Sequence, residues 1–164
     1  MYQLRQTQQI DAPLEEVFAF FADPANLAKI TPPWLRFRIH GESPAALSEG
    51  SRIEYRIRWA IFRLRWVTRI TRWQPGRGFQ DVQEKGPYKT WIHSHRFSRR
   101  GNASVVDDEV EYALPLGPLG RLAHALRVRR QLEEIFAYRR RAVEEIFGAP
   151  RSGEPSAHPP GLSP

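Results

Sequence analysis

The chain has no cysteine, a single methionine and only three lysines in 164 residues. Without cysteine there is no disulfide framework, no thiolate metal site and no cysteine nucleophile. No run of about 18 apolar residues occurs, which excludes a membrane-spanning helix. The opening Met1-Tyr2-Gln3-Leu4-Arg5 carries no apolar stretch of signal-peptide length. A soluble cytoplasmic protein without stable membrane insertion is the expectation. The three lysines are Lys29, Lys85 and Lys89, so 22 of the 25 basic residues are arginine and the net charge is +7. Part of that charge is balanced locally, because Glu133, Glu134, Glu144 and Glu145 lie among the late arginines.

What is present is alternation. Trp91, His93, His95 and Phe97, then Val106, Asp108, Val110 and Tyr112, form two period-2 stretches on either side of Arg100-Gly101-Asn102-Ala103. Gly followed by Asn suits a two-residue hairpin turn. Facing residues then have numbers summing to about 203, so His95 faces Asp108, His93 faces Val110, Trp91 faces Tyr112 and Phe97 faces Val106. All eight share one face, since side chains alternate along a strand. That face is apolar and aromatic except for two imidazoles and a carboxylate. Burying such charge in solid packing is costly, so the face is expected to line a cavity.

Further along the chain the same pattern recurs. Tyr2 to Ile10 alternates weakly and predicts a first strand. Asp11 is placed to cap a following helix carrying Val17, Phe18, Phe20 and Phe21, with Glu15 and Glu16 near its start. A second short helix is expected from Ala25 to Ile30, stopped by Pro32-Pro33. Leu35, Phe37 and Ile39 predict a strand; Ile53, Tyr55, Ile57 and Trp59 another; Phe62, Leu64, Trp66, Thr68 and Ile70 another; and Phe79 to Gln83 a short one. A long helix is expected to end at Phe147, with Leu119, Leu122, Leu126, Leu132, Ile135, Phe136, Val143, Ile146 and Phe147 near one stripe that Arg129 and Arg139 interrupt. One strand, two short helices, six strands and a long helix predict an α+β fold, a seven-stranded antiparallel sheet wrapped around the final helix with an internal cavity. Residues 1–148 form this domain, and the Pro-rich segment 149–164 is expected to be a disordered tail.

The element order and local motifs resemble the helix-grip superfamily, which includes START lipid-transfer domains, the birch-pollen allergen group (Bet v 1-like proteins) and SRPBCC proteins, and within it the bacterial polyketide cyclase/dehydrase-like ligand-binding branch. The residues carrying the resemblance are Ile10-Asp11-Ala12-Pro13 with Val17 and Phe18, Gly86-Pro87-Tyr88 followed by Trp91, His93, His95 and Phe97, and Asp108, Val110, Tyr112, Pro115, Gly117, Phe136, Tyr138 and Arg139. The resemblance implies a cavity for a hydrophobic or amphipathic small molecule. It fixes no single chemistry, because superfamily members include carriers, sensors and cyclases.

The expected cavity residues are Trp34, Tyr55, Trp59, Trp66, Trp91, His93, His95, Phe97, Asp108, Tyr112, Leu126 and Arg129. Trp34, just past the two prolines, is a candidate for the entrance. His93, His95 and Asp108 are the candidate catalytic residues. Three readings of them stay open: Asp108 merely fixes the imidazole tautomer, the cluster orients a polar group of a ligand, or it performs acid–base chemistry. Two imidazoles two residues apart with Asp108 as third ligand is also a conceivable metal set, but no metal and no cofactor are expected. Arg129 and Arg139 either anchor an acidic ligand group, reach solvent or pair with a carboxylate. The outward Arg56, Arg58, Arg63, Arg65 and Arg69 share no face with aromatics for base stacking, so nucleic acid is not expected as a partner. Binding of a hydrophobic small molecule leads, a cyclase or dehydratase acting on a carbonyl compound is the alternative, and a regulatory interaction module is the second alternative. A homodimer stays open.

Overall fold

The computed structural model describes residues 1–59, 62–119 and 127–148. Strands β1 (Tyr2–Ile10), β2 (Arg38–Ile39), β3 (Arg52–Trp59), β4 (Phe62–Gln74), β5 (Gly78–Lys85), β6 (Thr90–Arg100) and β7 (Ala103–Ala113) form one sheet. Its order is β1-β7-β6-β5-β4-β3-β2, and every neighbouring pair is antiparallel. Helix α1 (Leu14–Ala22) follows β1, and helix α2 (Arg129–Phe147) closes the described chain. The fold is the seven-stranded antiparallel α+β arrangement around a final helix that the alternation predicts.

The β6–β7 hairpin has the register deduced from its turn, with His95 opposite Asp108, His93 opposite Val110, Trp91 opposite Tyr112 and Phe97 opposite Val106. Gly101 takes φ +60° while Asn102 stays at negative φ, the pattern of the II′ turn that matches strand twist. β4 carries irregularities between Val67 and Thr68 and between Ile70 and Arg72. Such bulges bend a long strand and sharpen its twist, which lets the 13-residue β4 curve around the interior.

Aromatic packing fastens α1 to the sheet. Phe18 meets Trp73, Phe79 and Phe97 with ring centroids 5.4, 6.5 and 5.3 Å apart, and Phe21 meets Phe97 at 5.4 Å. The Ser104 hydroxyl donates to the Ala12 carbonyl at 2.7 Å and ties the start of β7 to the entry of α1. α2 packs along β1, where Gln8 Nε2 donates to the Arg140 carbonyl at 2.9 Å and Arg140 donates back to the Thr7 carbonyl at 2.6 Å. Apolar side chains gather in two groups, one around Val17, Ile53, Phe79, Phe97 and Val143 and one around Val110, Tyr112, Leu132 and Phe136.

Several local expectations are corrected. Asp11 does not cap α1; Pro13 occupies that position without a side-chain cap, and its carbonyl accepts from Glu16 and Val17 at 3.1 Å. The helix expected over Ala25–Ile30 is a tighter 3-10 turn, Pro24–Ala28, entered by Asp23, whose Oδ1 accepts from the Ala25 amide at 2.9 Å. The strand expected from Leu35 shrinks to the two residues of β2. Pro33–Leu35 forms a second 3-10 turn, and Arg36 closes it with φ 45°, where extended pairing is impossible. Leu119 and Ile146, assigned to the inward stripe, are exposed. The expected start of the long helix at 120–126 and the tail at 149–164 lie outside the described residues.

Candidate functional site

Between the sheet and α2 lies a cavity of about 420 Å³, within the range that holds a small organic ligand. Inward positions of four strands, β3 to β6, and the helix build most of its walls. β3 contributes Ile53, Tyr55, Ile57 and Trp59, β4 contributes Leu64, Trp66, Thr68 and Ile70, and α2 contributes Gln131, Leu132, Ile135, Phe136 and Arg139. Trp59 Nε1 donates to Gln131 Oε1 and so bridges sheet and helix. Tyr55 stacks on Trp66 at 5.8 Å, and Trp66 stands edge-on to Trp91 at 5.2 Å.

The apolar lining has one polar wall. β6 supplies both imidazoles, His93 and His95, and its two neighbours supply one carboxylate each. Asp81 on β5 sits opposite His93, and Asp108 on β7 sits opposite His95. All four are largely buried, and the two rings are 3.9 Å apart. Each ring spans the two acids. His93 Nε2 lies 3.2 Å from Asp108 Oδ1 and its Nδ1 3.7 Å from Asp81 Oδ2. His95 Nδ1 lies 2.6 Å from Asp108 Oδ1, too far off line for a hydrogen bond, and its Nε2 lies 3.5 Å from Asp81 Oδ2. The Thr68 hydroxyl donates to the other oxygen of Asp81 at 2.8 Å.

Electrostatics divide the roles. Burial would raise both carboxyls. Arg139 and His95, with the hydrogen bond from His93, overcome it at Asp108 and hold that carboxyl well below the ordinary range. His95 and His93, with Thr68, hold Asp81 down as well. Burial and the neighbouring His95 push His93 below the usual imidazole value. At His95 burial also pulls down, yet the two carboxylates prevail and raise it. The wall therefore sets two carboxylates, both held low, against the Arg139 guanidinium and two imidazoles shifted in opposite directions, His93 down and His95 up. Burial, followed by the charge of Asp81, pushes the Tyr55 hydroxyl far above its normal value and keeps it a neutral donor.

Arg139 explains the break in the helix stripe. It follows Phe136 by three residues and precedes Val143 by four, so it stays on the inward face, where its guanidinium lies 5.3 Å from the centre of the Phe21 ring. Its Nε is buried and finds no hydrogen-bond partner among the described residues. The indole Nε1 of Trp66, a residue only 5% exposed, is likewise buried without one.

Of the residues expected around the cavity, Tyr55, Trp59, Trp66, Trp91, His93 and His95 line it. Phe97 does not; it is consumed in the ring cluster of Phe18, Phe21 and Phe79. Asp108 and Tyr112 lie behind the lining, Asp108 screened by the two histidines and Tyr112 packed on Tyr2, Tyr88 and Trp91. Trp34 is exposed, edge-on to Tyr138, beside a separate recess that shares Leu35, Trp59 and Gln131 with the cavity. Arg129 is exposed and pairs with Glu133 one turn on at 2.9 Å, so it does not enter. Leu126 lies outside the described residues. Asp81 escaped the sequence reading. Phe79, Asp81 and Gln83 share one parity, so a face assignment for that short strand, anchored on Phe79, was the signal for it.

A curved antiparallel sheet gripping the last described helix, with a partly open and mostly apolar cavity between them, defines a helix-grip protein. Residues 10–136 match the family described as polyketide cyclase / dehydrase and lipid transport, and the chain belongs to that family. Solved structures share the fold at low identity. The Thermus thermophilus protein TTHA0849 is 19% identical with a TM-score of 0.67, covering 92% of this chain and 100% of its own. Ginseng major latex-like protein 151 from Panax ginseng is 12% identical with a TM-score of 0.66, covering 89% and 97%. Ara h 8.0201 is 12% identical with a TM-score of 0.59, covering 88% and 98%. No curated protein matches by sequence. Among the described residues no helix is long and apolar enough to cross a membrane.

Proposed function

We propose that this chain reversibly binds an amphipathic small molecule in the cavity, its apolar body against the β3 and β4 side chains and its polar group against the Arg139 side. The observation that carries this reading is the pairing of a largely apolar 420 Å³ space with two buried donors, Trp66 Nε1 and Arg139 Nε, that have no acceptor among the described residues. Buried donors are costly to leave unmade, so the ligand's polar group is an acceptor, a carbonyl or a carboxylate. Native mass spectrometry and thermal shift against fatty acids, sterols, flavonoids and aromatic polyketides test it. One equivalent of an acceptor-bearing compound is expected, with a stabilisation of about 2.7 kcal/mol at a hundredfold excess over Kd. Arg139→Met lowers affinity for a carboxylate ligand about tenfold or more, since hydrogen bonds to charged groups contribute about 1.5–3 kcal/mol. Failure of every class to bind would remove the reading.

A second reading, a cyclase- or dehydratase-like enzyme, is favoured by one observation: both imidazoles reach the cavity wall, backed by carboxylates as a general base requires. Turnover of a carbonyl substrate that His95→Gln abolishes while binding survives would establish it over simple carriage. The interaction-module reading has less support, since Arg65 and Arg69 on the outer face are paired with Glu54 and Glu84 at 2.7 and 3.0 Å.

A further inference from the structure

The sequence sets His95 opposite Asp108 and His93 opposite Val110 and expects no metal, but the arrangement of ring nitrogens leads elsewhere. Each imidazole turns one nitrogen, His93 Nδ1 or His95 Nε2, toward Asp81, at 3.7 and 3.5 Å from Oδ2. Each turns its opposite nitrogen toward the single oxygen Asp108 Oδ1, at 3.2 and 2.6 Å. One donor atom from each of Asp81, His93 and His95 lies within 4.8 Å of the others. All three residues line the cavity and Asp108 does not. We propose that Asp81, His93 and His95 are the protein ligands of a divalent transition-metal ion, with Asp108 and Thr68 as the residues that orient them and the open coordination positions facing the cavity.

Three features support this over a mere salt-bridge network. The first is spacing. An ion held about 2.1 Å from each nitrogen and oxygen keeps neighbouring donors about 3–3.5 Å apart, so the separations from Asp81 need to close by only a few tenths of an ångström. The second is the supporting layer. A ligating histidine almost always gives its other ring nitrogen to a carboxylate or carbonyl, which fixes ring orientation and tautomer. Here Asp108 Oδ1 takes the outer nitrogen of His93 in a hydrogen bond at 3.2 Å and lies 2.6 Å from that of His95, off the line of its N–H, and the second oxygen of Asp81 is held by the Thr68 hydroxyl at 2.8 Å. The third is charge. A dication matches the two buried carboxylates, Asp81 and Asp108, charge for charge, and with Arg139 beside it leaves room for an anionic or carbonyl oxygen from the ligand. Two imidazoles and one carboxylate on one face of an ion suit iron(II), zinc, cobalt and similar first-row ions and leave positions open for an exogenous group.

The test uses the full chain, stripped with a chelator and titrated with CoCl2 in the absence of any organic ligand, with calorimetry and the visible cobalt spectrum as readouts. One equivalent is expected, with a spectrum of mixed nitrogen and oxygen ligation. Asp81→Asn should abolish that equivalent. Asp108→Asn should weaken it about 10–100-fold while leaving stoichiometry intact. Far-UV circular dichroism and a cooperative melt check that each variant folds. Should Asp81→Asn fail to fold, folded His93→Gln and His95→Gln decide, each losing the equivalent while a His40→Gln control, at an exposed histidine, keeps it. The proposal is overturned if the folded wild-type chain binds no stoichiometric cobalt, or if the equivalent persists in the folded ligand variants. Neither result touches the proposed binding of an organic ligand, which is measured without metal.

Discussion

Truncating one aromatic side chain in solid packing and one aliphatic side chain in the cavity wall should have very different costs. Phe97 is 5% exposed and meets Phe18, Phe21 and Phe79 at 5.3, 5.4 and 6.0 Å. Phe97→Ala removes a whole ring from a region that cannot collapse, so it loses the transfer free energy and opens a new void, about 3–5 kcal/mol together. Leu64 is only half-buried and borders space that is already empty. Leu64→Ala enlarges that space without creating a new one. Only part of the roughly 1.5–3 kcal/mol for burying such a side chain is at stake, so about 1 kcal/mol is expected. In thermal terms Phe97→Ala should fall by roughly 6–20 °C and Leu64→Ala by about 2–4 °C, given the usual 2–4 °C per kcal/mol at this size. Urea unfolding at 25 °C followed by tryptophan fluorescence measures both, with equal m-values required for the comparison. If Leu64→Ala costs as much as Phe97→Ala, the space behind Leu64 is packed and the reasoning about the interior fails.

Two further outcomes follow from other parts of the fold. Gly78 opens β5 opposite Arg96, and a Cβ there would collide with the His95 carbonyl; Gly78→Ala should cost about 1–3 kcal/mol, as overpacking does, and should shift the imidazole NMR signals of His93 and His95, whereas Gly76→Ala should leave those signals in place. Burial, followed by the neighbouring Tyr112, pushes the Tyr88 hydroxyl up. The unfolded chain therefore gives up this proton near pH 10 while the folded chain keeps it, so stability is unaffected below about pH 10 and declines as pH rises beyond it. Urea midpoints between pH 8 and 11 should show that decline, and Tyr88→Phe should make it shallower, Tyr55 supplying part of the remainder; a slope unchanged by Tyr88→Phe would refute the assignment.

The sheet was largely legible because strict alternation and a glycine-first turn are local signals, and the β6–β7 register needs nothing else. The polar wall was half legible. His93, His95 and Asp108 belong to one hairpin, but Asp81 arrives through pairing of β5 with β6, and which strands become neighbours is a property of the whole chain. Two misreadings have clear causes. Leu35, Phe37 and Ile39 alternate like a strand, yet Pro32 and Pro33 favour a tight turn that Arg36 completes. Arg129 and Arg139 break the helical stripe in the same way, and period alone cannot separate them. Position along the axis does, because Arg139 lies between Phe136 and Val143 above Phe21, whereas Arg129 sits in the first turn with Glu133 in reach.

The claim that a small molecule occupies the space between sheet and helix is tested most directly by titrating the full chain with 8-anilinonaphthalene-1-sulfonate, an apolar fluorophore bearing an acceptor, alongside Leu64→Trp. One bound equivalent is expected in a wild-type chain that still melts cooperatively, with loss of that equivalent when the added indole fills the cavity without lowering the melting temperature by more than a few degrees. Undiminished binding by a folded Leu64→Trp chain would contradict it.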